Sequence, residues 1–542
     1  MLMNKKKPLM QSPFPHPFWE AFRGVGAQPL CKDEWKIIDL SNSIREKPDW
    51  KIKYKDPVIA DKWKKEYIQQ IEGKTRHGPE IVDFVLKELQ WYEKLADNEA
   101  GFECGCSDSI AVGDKAVSKS IRESFVANAR KLEHSFEGNF DYHPGSNNQV
   151  IDLVHPSLFP LQYGTTPIKV GSKYAIAEYT DDIQKVKQGV ESFGVSKNFQ
   201  WLPAVMKLED GKYNFASYIN NLHPKRFKPL YDDISDIFNA IIPGLNLTLS
   251  RYASGQYIRI PIPSYTDVYT KEYNDKMGEI WDEVNDDDID IKIEELEEKK
   301  ADYVKPFPPV YSEEPKTAEF DIKSFPNLKV IVKIASIELT PENPKYPGGS
   351  WHVEGTINED IVATVLYYYD VENISESRLS FRTAFEDPQY EQGDAFYCDY
   401  FFGIKDESPM TRNQGSVVAK EGRVVVFPNC FQHHVDGFEL ADKSKKGHRK
   451  ILCFFVVDPH NKVVKATSEV SPQQKEWWDQ DTEELSSEIK AEIVKINPDW
   501  PQTLEATKAV RSKLMEERSA SVQLAKDDGM EAFTREFSLC EH

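Results

Sequence analysis

The spacing of hydrophobic positions divides the chain into helical and extended stretches. Over residues 58–95, Trp63, Tyr67 and Ile71, then Val82, Val85, Leu86 and Leu89, recur at intervals of three and four. That interval predicts helix with one buried face. Residues 115–132 repeat the pattern, and residues 223–242 place Ile234, Ile237, Phe238 and Ile241 on one face. Residues 1 to about 55 are rich in Pro and Lys and read as mostly irregular. Residues 148–218 carry short extended runs broken by Pro and Gly. Residues 269–303 are charged and helix-like, with the acidic run 285–288 reading as a solvated insertion. Residues 306–315 are a Pro-rich connection.

After residue 328 the pattern becomes extended. Val330, Val332, Ile334 and Ile337 mark one strand, and residues 361–369, 379–383, 423–427 and 449–457 mark others. Strands in series without helices between them predict an antiparallel sandwich or barrel. Residues 483–496 and 503–518 return to helix. The chain therefore divides into an N-terminal helical region (1–147), a mixed region packing on the barrel (148–320), a β core (321–460) and a C-terminal helical extension (461–542). The fold class expected is α+β.

Charge and cysteine content narrow the function classes. The net charge of −21 disfavours general nucleic-acid binding and docking on anionic membranes. No apolar run approaches a membrane span, and Lys5, Lys6 and Lys7 precede no apolar segment, so a secreted protein is not expected. Seven scattered cysteines suit a reducing cytoplasmic or nuclear compartment. Cys104-Gly105-Cys106 has too short a spacing for a zinc pair.

The chemistry concentrates in the β core. His352 and Glu354 are two residues apart, so on a strand they project to one face while Val353 points away. His433 lies 81 residues later, after an apolar strand and a turn, where intervening strands can return it to the first pair. Two histidines and a carboxylate leave coordination positions open, as in non-haem Fe(II) oxygenases. His434 competes with His433, since neighbours on a strand face opposite ways and only one can join the site. Arg449 opens the last apolar strand, and its same-face neighbours Ile451, Cys453 and Phe455 are apolar, which directs its guanidinium inward. An inward arginine needs an anion, and the distal carboxylate of 2-oxoglutarate would satisfy it bidentately. Arg382, Asn358, and Tyr367 or Tyr369 are further pocket candidates, and His448 is an alternative to Arg449.

Longer motifs carry a family resemblance. Pro347 through Gly355, Asn358-Glu359, Tyr367-Tyr368-Tyr369-Asp370, Phe381-Arg382 and Gly447 through Leu452 resemble the fungal family named domain of unknown function 4246. So do Asp61-Lys62-Trp63, Pro156 through Pro160, Ser217 through Pro224 and Gln473 through Trp478. The resemblance runs from about residue 40 to residue 518. It implies a double-stranded β-helix (jelly-roll, cupin-like) similar to 2-oxoglutarate and iron oxygenases, above all the prolyl-hydroxylase-like ones. In that wider group the last ligand and the anchor read H-x-V and then G-x-R. His433-His434-Val435 and Gly447-His448-Arg449 match this, with a longer gap between them. Family members commonly carry Gln-His-Arg where this chain has Gln432-His433-His434, which favours His433. Glu354 stands where the wider group more often has Asp.

The expected function is an Fe(II)- and 2-oxoglutarate-dependent oxygenase, a hydroxylase acting with O₂ on a small-molecule or peptide substrate. His352, Glu354 and His433 would hold iron, and Arg449, with Arg382 and Tyr367, would line the cosubstrate pocket. The alternatives are a metal- or ligand-binding barrel without turnover, and a cupin-type metalloenzyme that does not use 2-oxoglutarate.

Overall fold

The apolar runs of the C-terminal half become the middle of one large antiparallel sheet. In a computed structural model, residues 12–18, 27–96, 100–182, 194–282, 289–391, 394–480, 486–527 and 536–539 are described. The acidic run 285–288 and Lys5, Lys6 and Lys7 lie outside them.

The helices that matter to the site are Lys32–Arg45 (α1), Pro57–Gln70 (α2), Gly78–Leu95 (α3), Lys119–His134 (α4), Lys228–Ala253 (α5) and Leu504–Asp527 (α6). The strands are Ala111–Gly113 (β1), Val150–Val154 (β2), Ala204–Glu209 (β3), Lys212–Phe215 (β4), Asn327–Leu339 (β5), Lys345–Tyr346 (β6), Ile361–Glu372 (β7), Ser377–Ala384 (β8), Thr411–Ala419 (β9), Val424–Pro428 (β10), Gln432–Val435 (β11), Phe438–Glu439 (β12) and Gly447–Val457 (β13). The large sheet runs β1-β10-β7-β13-β5-β3-β4, with β2 also on β5 and Glu103–Cys104 outside β1. A small sheet runs β9-β8-β11, and β6 pairs with β12. The pairings within these sheets are antiparallel.

Strand alternation sorts the large sheet's side chains into two cores. On one face Val330, Val332, Ile334, Val365, Val426, Leu452 and Phe454 pack against Ile234, Ile237, Phe238, Ile241 and Leu245 of α5. On the other face Ile331, Leu366, Val425, Phe427, Cys453 and Phe455 meet Leu379, Phe381, Val417 and Ala419 of the small sheet. Both faces are buried, so these strands read as continuous apolar runs. No closed barrel forms among the described strands; the chain is a mixed helix-and-sheet fold with two antiparallel sheets face to face.

Several local expectations need correction. Residues 1–55 are not irregular throughout, because α1 buries Trp35, Ile37, Leu40 and Ile44 against α3. The stretch 58–95 is two helices, separated at Gly73, whose φ of 76° ends the first turn of the connection. Helix α5 continues beyond Pro243 to Ala253, burying Leu245 and Leu249. Strand β9 has no apolar run to mark it in the sequence, because most of its side chains are polar or partly exposed. Among the described residues, no helix is long and apolar enough to cross a membrane.

Candidate metal centre

His352 lies in an irregular segment after β6, yet its backbone is pinned to His433 of β11. His352 N–H donates to the His433 carbonyl at 3.2 Å, and His433 N–H donates to the His352 carbonyl at 3.0 Å. This single antiparallel bridge brings the two imidazoles to 4.4 Å between ring centres. Glycine makes the approach possible. Gly348 has a φ of 102°, and a Cβ there would stand 2.9 Å from the Val435 carbonyl oxygen.

Glu354 completes the group. Its Oε1 lies 3.6 Å from Nε2 of His352 and 3.6 Å from Nε2 of His433. Asn429, buried in the turn after β10, holds the Glu354 backbone at both ends. Its Oδ1 accepts from Glu354 N–H at 2.9 Å, and its Nδ2 donates to the Glu354 carbonyl at 2.8 Å. His352 Nδ1 bonds the Ser350 carbonyl at 2.8 Å, which makes it the protonated nitrogen and leaves the Nε2 lone pair for a metal. The His433 ring is fixed edge-on to Phe427, 4.8 Å away.

The electrostatics are those of a carboxylate between two imidazoles. Burial opposes ionisation of Glu354, but hydrogen bonds and charge from His352 and His433 outweigh it and hold the carboxyl well below its usual range. Burial also opposes protonation of His352, and Glu354 overcomes it, so that pKa is raised. For His433, burial and the neighbouring His352 win and the pKa is lowered. An N, N, O donor set whose ligand atoms lie within 4.8 Å of one another suits a divalent transition metal with positions left open. His352 keeps 45% of its side-chain surface accessible, so the group opens to solvent.

Arg449 of β13 faces the same inter-sheet space. It is 2% exposed, its Nη1 donates to Ser377 Oγ at 2.9 Å, and its buried Nε has no partner. Its guanidinium lies against the rings of Tyr368 and Phe438, 5.3 and 5.6 Å from their centres. Among the described residues no carboxylate pairs with it. Its neighbours point the other way, His448 to Asp370 and Lys450 to Glu133.

Other sequence candidates lie elsewhere. Tyr367 and Tyr369 belong to the core against the helices, whereas Tyr368 faces Arg449. The run of three tyrosines is buried on both faces, so alternation alone does not reveal the inner one. Arg382 stacks on Trp351 at 4.7 Å and donates to Gln432 Oε1 at 2.7 Å, on the face opposite Phe381. Asn358 is bonded to the Ser196 backbone. His434 faces away from Glu354, toward Asp436 and the Trp351 ring. Val353 turns into a cavity of about 320 Å³ that none of the three ligands lines.

A second group, His143, Asp152 and His155, also has ligand atoms within 4.8 Å of one another. Its setting disfavours a cation. Arg511 stands 3.8 Å from Asp152, Lys333 is close enough to act on both Asp152 and His155, and His155 Nδ1 accepts from Ser157 N–H. With Nδ1 accepting, the other nitrogen of a neutral ring carries the proton and has no lone pair for a metal.

Three solved structures show distant likeness. One is IDO from Bacillus thuringiensis, at 15% identity and a TM-score of 0.17, covering 25% of this chain and 47% of that one. Another is a bsmA homolog from Methylobium petroleophilum PM1, at 8% identity and a TM-score of 0.16, covering 24% and 42%. The Fe(II)/(alpha)ketoglutarate-dependent dioxygenase TqaL aligns at 10% identity and a TM-score of 0.23, covering 64% of this chain and 92% of that one. No curated protein matches the chain. Family models match far more extensively: an N-terminal domain of unknown function, DUF4246_N, over residues 3–66, and the protein of unknown function DUF4246 over residues 79–481. The chain belongs to the DUF4246 family.

Proposed function

We propose that the protein is an Fe(II)- and 2-oxoglutarate-dependent oxygenase. The observation that carries the reading is the pairing of a His, Glu, His group with a buried, acid-free arginine in one inter-sheet space. An unpaired buried guanidinium costs several kcal/mol unless an anion meets it. A metal alone would leave that demand unmet, which disfavours a cupin-type enzyme or a bare metal holder. A cosubstrate that chelates the metal and ends in a carboxylate meets both needs. The strand order also supports a double-stranded β-helix. Strands β10-β7-β13-β5 form one sheet, and β9-β8-β11, extended by the His352 bridge, forms the other.

In this reading His352, Glu354 and His433 hold Fe(II), and Arg449 with Ser377 binds the distal carboxylate of 2-oxoglutarate. The iron and 2-oxoglutarate together supply O₂-dependent oxidation, with hydroxylation the default outcome. The chain's own part is positional. Asn429 fixes the Glu354 backbone, Ser350 fixes the His352 tautomer, and Phe427, Phe381 and Phe455 keep water from the inner wall. The exposed edge of His352 marks the side from which a small molecule or a peptide side chain would approach.

The test is uncoupled turnover. Protein reconstituted with Fe(II) in air should release succinate from 2-oxoglutarate, and His352→Ala should abolish that release. Succinate formation that persists in His352→Ala would exclude this site as its source.

A further inference from the structure

The inner face of the large sheet carries a second cation besides Arg449. Lys333 of β5 pairs in register with Cys453, and Ile337 of the same strand pairs with Arg449. Alternation puts Lys333 on the face of Ile331, opposite Val330, Val332 and Ile334. Lys333 and Arg449 therefore share one face, about 13 Å apart along the strands at their backbones.

Their surroundings differ. Arg449 lies with Ser377, Tyr368 and Phe438, at the end away from the ligands. Lys333 lies in register with Cys453, and its ammonium feels the charge of Asp152 most and then that of Glu354, which places it toward the ligand end. The Tyr346 ring packs on Phe438, and its hydroxyl comes within 4.0 Å of where a Gly349 Cβ would be, so it spans the two ends. Neither acid claims Lys333 by contact, because among the described residues no ion pair or hydrogen bond to its ammonium forms. Asp152 is bonded to His143 at 2.8 Å and has Arg511 beside it. Glu354 is committed to the two imidazoles and, once loaded, to the metal.

We propose that Lys333 binds the carboxylate next to the keto group of a 2-oxo acid, while Arg449 binds the distal one. The two cations then bracket a dicarboxylate from opposite ends of one sheet face. This rests on the 2-oxoglutarate reading and assigns the metal-proximal end of the pocket.

Anaerobic calorimetry on the Fe(II)-loaded full chain tests it with two probes, 2-oxoglutarate and 2-oxobutyrate, which lacks the distal carboxylate. Lys333→Met should weaken both probes by about 10- to 100-fold. Arg449→Met should weaken 2-oxoglutarate by a similar factor and leave 2-oxobutyrate within about twofold of wild type. Lys333→Arg should recover most of the affinity for both, and Fe(II) uptake by each variant checks that the site is folded. Wild-type affinity of Lys333→Met for 2-oxobutyrate would overturn the assignment while leaving the 2-oxoglutarate reading intact. Failure of the wild-type protein to bind either probe would overturn that reading, and the assignment with it.

Discussion

Arg449 is buried without an acid, and only its Nη1 is committed, to Ser377. A planar guanidinium can keep that bond and still present two parallel, coplanar donors to a carboxylate, a fork that a tetrahedral ammonium cannot form. Arg449→Ala should therefore weaken 2-oxoglutarate binding by about 10- to 100-fold while leaving Fe(II) uptake unchanged, as measured by anaerobic titration. Unchanged 2-oxoglutarate affinity would show that the anchor is another residue. At the ligand end, His433→Ala should lose Fe(II), and His434→Ala should retain it, since His434 turns toward Asp436 and Trp351. The reverse result would exchange the two. The i, i+2 spacing of His352 and Glu354 was legible in the sequence, although the segment that carries them makes one isolated bridge rather than the expected strand; alternation did indicate the inward direction of Arg449. For the tyrosines it pointed to Tyr367 or Tyr369, yet Tyr368 is the ring that faces Arg449; all three are buried, so the pattern carries no mark of the inner face. Asn429 and Lys333 carry no local signal in the sequence. Asn429 clasps Glu354, 75 residues away in the chain, and Lys333 shares its sheet face with Arg449, 116 residues away, and only the sheets bring them together.

Among the elements, the ligand-bearing segment is held by point contacts rather than by a full strand. His352 makes one bridge, Glu354 is clasped by Asn429, and Gly348 lets the segment pass close to β11. Asn429→Ala should lower metal affinity by about 10-fold or more, since supporting residues of this kind orient ligands without touching the ion. Competition with a fluorescent chelator reads that change, and an unaltered affinity would show that Asn429 only supports folding. Gly348→Ala should cost about 2 kcal/mol, from the positive φ and the Val435 carbonyl, and lower the melting temperature. The central strands were visible in the sequence because burial on both faces makes long apolar runs. Helix α1 was hidden because its buried face alternates with Lys, Asp and Asn on the exposed one, within a Pro-rich segment.

The whole molecule surrounds the two sheets with helices tied by buried ions. Arg259 pairs with Glu88 at 2.7 Å inside the N-terminal helical core, and Arg511 of α6 grips Asp141 at 2.6 and 3.0 Å. Beside that second anchor, burial pushes the His155 pKa from 6.5 down to about 3, against the pull of Asp152. Below pH 6.5 the unfolded chain takes up a proton that folded His155 refuses. Stability should therefore be full above pH 6.5 and fall progressively as the pH drops toward about 3. His155→Gln should flatten the dependence of denaturation midpoint on pH across that window, and an unchanged slope would place the acid sensitivity elsewhere. The proposed function requires one space between the two sheets to hold a metal and a 2-oxo acid together. It is tested most directly by adding 2-oxoglutarate to the Fe(II)-loaded protein without oxygen and recording the visible spectrum. A weak charge-transfer band should appear in the wild type, saturate with one equivalent of iron, and vanish in Glu354→Ala. Iron and 2-oxoglutarate that bind with no such band, or a band that survives Glu354→Ala, would contradict the account.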